Sequence, residues 1–501
     1  EDTFEIKGHE YFGHMRGRFT GGELREIDEY AYNFGIELIP CIQTLAHLNA
    51  IFRWPCYSDI NDTADILLCD NPKTYEFIDA MLSSMSENIK SRIINIGCDE
   101  AHMVGLGKHL DKHGFENRFE IMVRHINKVV DLCEKYNYKP VMWSDMFFRL
   151  QSPNGGYYNV EDQIPLWVRE KVNPKVDLCY WDYYHLTDNQ YQKQIDLHKD
   201  FNNNLWFAGG AWKWEGFTPL LDFSIKTGLP ALMTCKANNI KKIILTAWGD
   251  NGSECSNWSI LPIMQLYAES CYTNEVSVSN LEKRFNSCTK ANWNAFMSLD
   301  IPNILPGELR AGDSMSNNSK YLFYNDPLTG LMDCHIPELE NKKLYKEYSD
   351  TLRKNATISG EFGYLFETLA DLCDVLDLKY DFGLRLKSAY ENKDKLSLNK
   401  ICFEEIDEII LKIEKFHNSL RFQWYSENKY AGFDVLDIRI GGMIARFKSA
   451  KIIVEKYLNG NITTIEELEY ERLPFDCNLK KDRKVNISTN IWSRIVTVNN
   501  I

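Results

Sequence analysis

The sequence predicts an α/β fold: a (β/α)8 TIM-type barrel, its first one or two strands absent from this chain, followed by an α-helical C-terminal domain. Three observations lead there. Between about residues 20 and 270, short β-branched or aromatic apolar runs alternate with stretches of helical periodicity, the pattern of parallel strands joined by helices. Polar and aromatic residues gather just after each run, as they do at the C-terminal face of a barrel, where several strand ends build one site. After about residue 275 only long amphipathic periodicity remains.

Taken in order, residues 1–5 read as the outgoing loop of a strand that lies before the sequence. Six strand candidates follow, over 36–42, 92–97, 140–143, 176–181, 205–208 and 243–247. Phe77, Ile78, Met81, Leu82, Met85 and Ile89 recur at helical spacing between the first two, and Met122, Ile126, Val129, Val130 and Cys133 between the next two. A doubly wound sheet would concentrate its site at one switch point. Here six strand ends carry polar and aromatic residues, which favours the barrel. The barrel is expected over 1–272 and the helical domain over 273–501, where Leu365, Leu369, Leu372 and Leu376 form one stripe and 401–421 and 435–458 behave similarly. The segment 306–318 reads as a loop, and the tail from Pro474, with Trp492 and Ile495, as a short returning strand.

Composition narrows the function. Lys and Arg number 57 against 71 Asp and Glu, a net charge of −14 that would repel a phosphate backbone, so no nucleic-acid partner is expected. The 14 cysteines are scattered, none in a C-x-x-C pair, which points to a reduced, cytoplasmic setting. No apolar run approaches the roughly 20 residues of a membrane span. No leader opens the sequence, although it begins with Glu1 rather than Met, which leaves export open.

The sharpest local feature is the apolar run from Ile93, which ends in two adjacent carboxylates, Asp99 and Glu100. Alone, such a pair could cap a helix or meet Lys and Arg. The other strand ends change that weighing: Trp143 with Asp145, Tyr180 to His185, Trp212 with Trp214, and Trp248 with Asp250 repeat one combination, rings beside acids. Pyranose rings have apolar faces and polar edges, so aromatic walls with hydroxyl-accepting carboxylates suit a sugar.

The run Asn95-Ile96-Gly97-Cys98-Asp99-Glu100-Ala101 resembles the (His/Asn)-x-Gly-x-Asp-Glu motif of family 20 glycoside hydrolases, the β-N-acetylhexosaminidases. Across nearly its full length the chain is similar to the bacterial branch with a C-terminal helical domain. The likeness includes the segment from Pro40 to His47, Trp143-Ser144-Asp145, Tyr180-Trp181-Asp182-Tyr183 and Trp248-Gly249-Asp250. It implies a retaining exo-hydrolase that removes terminal β-linked GlcNAc or GalNAc from glycans. The substrate's own acetamido group is then the nucleophile, through an oxazolinium intermediate, with no cofactor and no metal.

The resemblance also implies roles. Asp99 orients the acetamido N–H and steadies its developing charge, and Glu100 is the general acid and then the base, its proton held by an apolar surround and the charge of Asp99. Tyr180 or Tyr183 donates to the acetamido oxygen; Trp143, Trp212 and Trp248 wall the pocket, with Trp214 adding ring surface. Asp182 and Asp250 accept sugar hydroxyls, as Asp145 would by its place beside Trp143, and His47 contacts the sugar or positions Glu100. Two departures stand out: the arginine of the first strand has no counterpart, and Gln43 occupies the place where many members have an acid. The alternative is a non-catalytic carbohydrate-binding protein on a degenerate barrel, which would have no need of both acids. A metal-dependent hydrolase using His47 and His185 is disfavoured by the dispersal of the 11 histidines; His102, His109 and His113 read as solvated. Oligomeric state stays open.

Overall fold

The computed structural model describes residues 2–158, 163–273, 275–305, 315–475 and 487–499. It divides into two compact units, Glu1–Gly209 with Pro230–Ile244, and Gly210–Leu229 with Leu245–Ile501. Five strands make one sheet: β1 (Ile93–Asn95), β2 (Lys139–Trp143), β3 (Asp177–Trp181), β4 (Leu205–Gly210) and β5 (Ile243–Thr246). Their order is β1-β2-β3-β4-β5, and β1 to β4 pair in parallel. The order never reverses, so there is no switch point; this is the singly wound wall of a half-barrel, as the alternating pattern predicts.

Residues 36–42 depart from the expected strand. Ile36 and Ile39 are exposed, and pairing is confined to a parallel bridge of Cys41 with Asn95. Three backbone bonds hold that bridge: Ile42 N–H to Asn95 O at 2.8 Å, Asn95 N–H to Pro40 O at 2.9 Å, and Thr44 N–H to Ile96 O at 3.2 Å. Pro40 has no N–H to continue the ladder backwards.

The helices of the first unit follow their apolar spacing. Pro72–Asn88 begins on Asn71, whose side chain accepts from Lys73 N–H, with proline at its first position, and buries Phe77, Ile78, Met81, Leu82 and Met85. Arg118–Lys135 starts in the same way on Asn117 and buries Met122, Ile126, Val129, Val130 and Cys133. It packs against β2. Burying each such side chain contributes about 1.5–3 kcal/mol, which fixes the strand ends above them.

In the second unit, Leu344–Ala356 packs on Gly363–Lys379, that helix on Ile406–Glu427, and the last on Phe433–Leu458. Leu365, Leu369, Leu372 and Leu376 are all buried in this stack. The tail differs from its expected strand: Trp492–Val496 is a short helix with Ile495 buried. Residues 306–314 of the expected loop and 476–486 of the tail lie outside the described residues. Among the described residues no helix is long and apolar enough to cross a membrane.

Candidate active site

Beyond β1 the chain bends sharply. The Asn95 side chain takes the Gly97 N–H at 2.8 Å, and Gly97, Cys98 and Glu100 all have positive φ, at 71°, 71° and 51°. Only glycine fits at 97: a Cβ there would lie 2.0 Å from Gln43 Oε1 and 2.9 Å from Ile42 O. A left-handed non-glycine residue costs on the order of 1–3 kcal/mol and persists where its surroundings hold it, as at sites where geometry serves chemistry.

This bend gathers four residues. Gln43 Nε2 donates to Asp99 Oδ1 at 3.0 Å. His47 Nε2 lies 3.2 Å from Asp99 Oδ2 and 3.4 Å from Glu100 Oε2. The side chain of Asp99 is 14% exposed and that of Glu100 37%, so the first is held in the wall while the second reaches solvent. Glu100 therefore faces an imidazole rather than the apolar surround expected for it. Gln43, which replaces the expected acid, serves Asp99 directly.

Asp145 follows β2 and opens the short helix Asp145–Gln151. It is fully buried. Its Oδ2 accepts the backbone N–H of Glu100 at 2.9 Å and its Oδ1 the indole N–H of Trp181 at 3.0 Å. Burial first, then the charge of Asp99, pushes this carboxyl up to about 8. Asp145 thus corrects one expectation: both oxygens are turned to protein donors and none to a sugar hydroxyl. Trp143, beside it, is 3% exposed, about as buried as Trp181 and Tyr183.

β3 settles the placement of the two tyrosines by its alternation. Tyr180 is fully buried and donates its hydroxyl to Asp182 Oδ2 at 2.5 Å. Asp182 is also buried: Oδ1 accepts the N–H groups of Tyr184 and His185, and Oδ2 also meets His185 Nδ1 at 2.5 Å. That bond raises the pKa of His185. Asp182 is saturated by its own loop, which corrects its assignment as a hydroxyl acceptor, and Tyr180 is removed from any ligand. Trp181 and Tyr183 occupy the other face, with rings stacked at 5.3 Å and 25°. Trp181 is the residue that sequence reasoning passed over; its parity with Tyr183 was the available signal.

Of the histidines beyond Glu100, His113 is exposed as expected, while His102 and His109 are less solvated. His109 is buried against Glu116 at 3.2 Å, and His102 lies 2.8 Å from the Tyr157 hydroxyl. Among the described residues no group of three or more His, Cys, Asp or Glu is placed to hold a metal ion. The remaining candidates belong to the second unit. Trp212 and Trp214 are buried and stacked on each other at 4.3 Å and 26°, while Trp248 is 37% exposed and Asp250 is exposed.

Known proteins share this organisation. Residues 5–182 match glycosyl hydrolase family 20, catalytic domain, and residues 294–487 match glycoside hydrolase 20C C-terminal domain. The chain is similar to hexosaminidase D of Bos taurus, 22% identical over 275 residues that cover 50% of this chain and 73% of the bovine protein. Hexosaminidase D of Homo sapiens is 20% identical over 268 residues, 50% of this chain and 52% of the human protein, so the match spans about half the length of that relative. Among solved structures, a chitobiase of Flavobacterium johnsoniae is 14% identical, with 99% of this chain and 72% of that chain covered at a TM-score of 0.42, a likeness too loose to transfer geometry. With the catalytic match ending at Asp182, just past β3, and the 20C match covering the helical stack, the chain belongs to glycoside hydrolase family 20.

Proposed function

We propose that the chain is a retaining exo-β-N-acetylhexosaminidase that releases terminal β-linked GlcNAc or GalNAc by substrate-assisted catalysis. The observation that carries this reading is the pair Asp99 and Glu100, side by side at one strand end, with His47 Nε2 within 3.4 Å of both and Gln43 bound to the first. Adjacent acids on one imidazole suit two separate tasks.

As the substrate's acetamido oxygen attacks the anomeric carbon, the amide nitrogen gains positive charge. Asp99, fixed by the Gln43 amide, is the carboxylate to orient that N–H and stabilise the charge. Glu100, the more exposed of the two, gives its proton to the departing glycosidic oxygen and then takes one from the attacking water. His47 positions the pair. Tyr183 is the donor to the acetamido oxygen, because the Tyr180 hydroxyl is spent on Asp182. A reducing, cytoplasmic compartment suits a chain whose 14 cysteines are scattered with no C-x-x-C pair.

The test is hydrolysis of nitrophenyl β-GlcNAc, β-GalNAc and β-glucoside, with the anomer of the first product read by NMR. Cleavage of the acetamido sugars with a β-anomer released first is the expected result. Equal cleavage of the glucoside overturns the acetamido mechanism.

A further inference from the structure

Asp145 has a feature that neither hydrolysis nor folding explains by itself. A carboxyl group sealed from solvent is costly, more so near a second acid, and this one is fully buried and raised to about 8 by burial and by Asp99. A lone backbone N–H could be satisfied by a neutral side chain at lower cost. Two donors converge here instead, one on each oxygen: the Glu100 backbone at 2.9 Å and the Trp181 indole at 3.0 Å. A carboxyl group offers both oxygens as acceptors, whereas an amide offers one and turns an NH₂ toward the other donor.

The two donors lie on different strand ends and serve different parts of the site. Glu100 sits after β1 with φ at 51°, a backbone that its neighbours must hold. Trp181 ends β3 and stacks on Tyr183. We propose that Asp145 is a positioning residue that locks three strand ends into one geometry, its Oδ2 setting the backbone of Glu100 and its Oδ1 the Trp181–Tyr183 wall. The inference rests on the hydrolase reading above and extends it: proton transfer and acetamido binding are aligned by one carboxyl group that touches no substrate.

Asp145→Asn must then break one of the two bonds. Measured with N,N′-diacetylchitobiose and with nitrophenyl β-GlcNAc, kcat is expected to fall about 100-fold on the disaccharide, whose leaving group needs the proton, and about 10-fold or less on the aryl sugar. In the double variant Asp145→Asn/Trp181→Phe the amide oxygen is free to turn to Glu100, so the loss is expected to be smaller than the product of the two single losses. Equal loss on both substrates, as a smaller active fraction would give, or a strictly multiplicative double variant, overturns the proposal. Should Asp145→Asn fail to fold, Trp181→Phe carries the test. It removes one donor and leaves the Glu100 bond, so KM rises roughly 2–10-fold with the leaving-group dependence kept; a steeper dependence overturns the division of tasks between the two oxygens. A wild-type protein silent on both substrates refutes the hydrolase reading, whereas an active wild type with uniform loss in Asp145→Asn refutes only this one.

Discussion

The buried acids at the strand ends of the first unit and a set of buried acids in the second are held in opposite ways. In the second unit three meet a permanent cation, Glu254 with Lys320 at 2.8 Å, Asp326 with Arg446 at 2.6 Å, and Asp371 with Arg353 and Lys415 at 2.8 Å each, whereas burial and the charge of Asp222 push Asp300 up to about 7. At the strand ends of the first unit, Asp99, Asp145 and Asp182 are met by an amide, a backbone N–H, an indole, a phenol and imidazoles. The titration behaviour follows. Burial pushes Asp326 up, but Arg446 holds it below the usual carboxylate range, whereas Asp145, with neutral donors only, rises to about 8. A fixed cation locks a carboxylate in its charged form and suits a scaffold. Neutral donors hold its position without fixing its charge.

The largest expected effect is at the strand ends of the first unit. Glu100→Gln should lower kcat on a disaccharide by about 10²–10⁴-fold and much less on an activated aryl glycoside, while Asp99→Asn should damage both; equal loss in the Glu100 variant would break the distinction between the acids. Next comes the scaffold. Lys320 and Glu254 have side chains 0% and 1% exposed, so Lys320→Met should cost about 3–5 kcal/mol in denaturant unfolding without altering leaving-group dependence. A variant as stable as wild type would show that the cation there is not structural.

Gly97→Ala should be intermediate. It forces a Cβ onto Gln43 Oε1 and should cost about 1–3 kcal/mol, with turnover falling as Gln43 releases Asp99; undisturbed kinetics would separate the bend from the chemistry. The smallest effect is a matter of pH. Among the described residues His185 is the titrating cation on Asp182, and the hydrogen bond with that carboxylate raises it above 6.5. The folded form then keeps a proton that the unfolded chain releases, so its stabilisation is complete below pH 6.5 and fades as pH rises through the higher folded value. His185→Gln should remove about 1 kcal/mol of stability on the acid side and little above it. A pH-independent loss would mean that His185 acts by packing alone.

Much of this was readable before any coordinates. Five of the six strands and the Leu365 to Leu376 stripe follow from periodicity, because buried faces impose it. The segment 36–42 misled because its apolar residues look like a strand while Pro40 and a single bridge leave it unpaired for most of its length. Asp99 and Glu100 were legible since an apolar strand has little other use for two acids at its tip. Asp145 and Asp182 were not: a sequence places an acid at a strand end without saying whether its oxygens face a pocket or are taken by an indole on the neighbouring strand or by the next turn. The choice between Tyr180 and Tyr183 was in principle open to parity, since residues of a strand alternate faces, but parity is silent about which face is inward.

The interleaving of the two units has a practical corollary. Residues 210–229 cluster with the chain beyond 245, yet the segment that returns from them, 230–244, clusters with the first unit. Excision at residue 272 would therefore strand Gly210–Leu229 without the polypeptide they cluster with. Co-expression of both parts, or circular permutation that respects the interleaving, is the route to a minimal version of this enzyme.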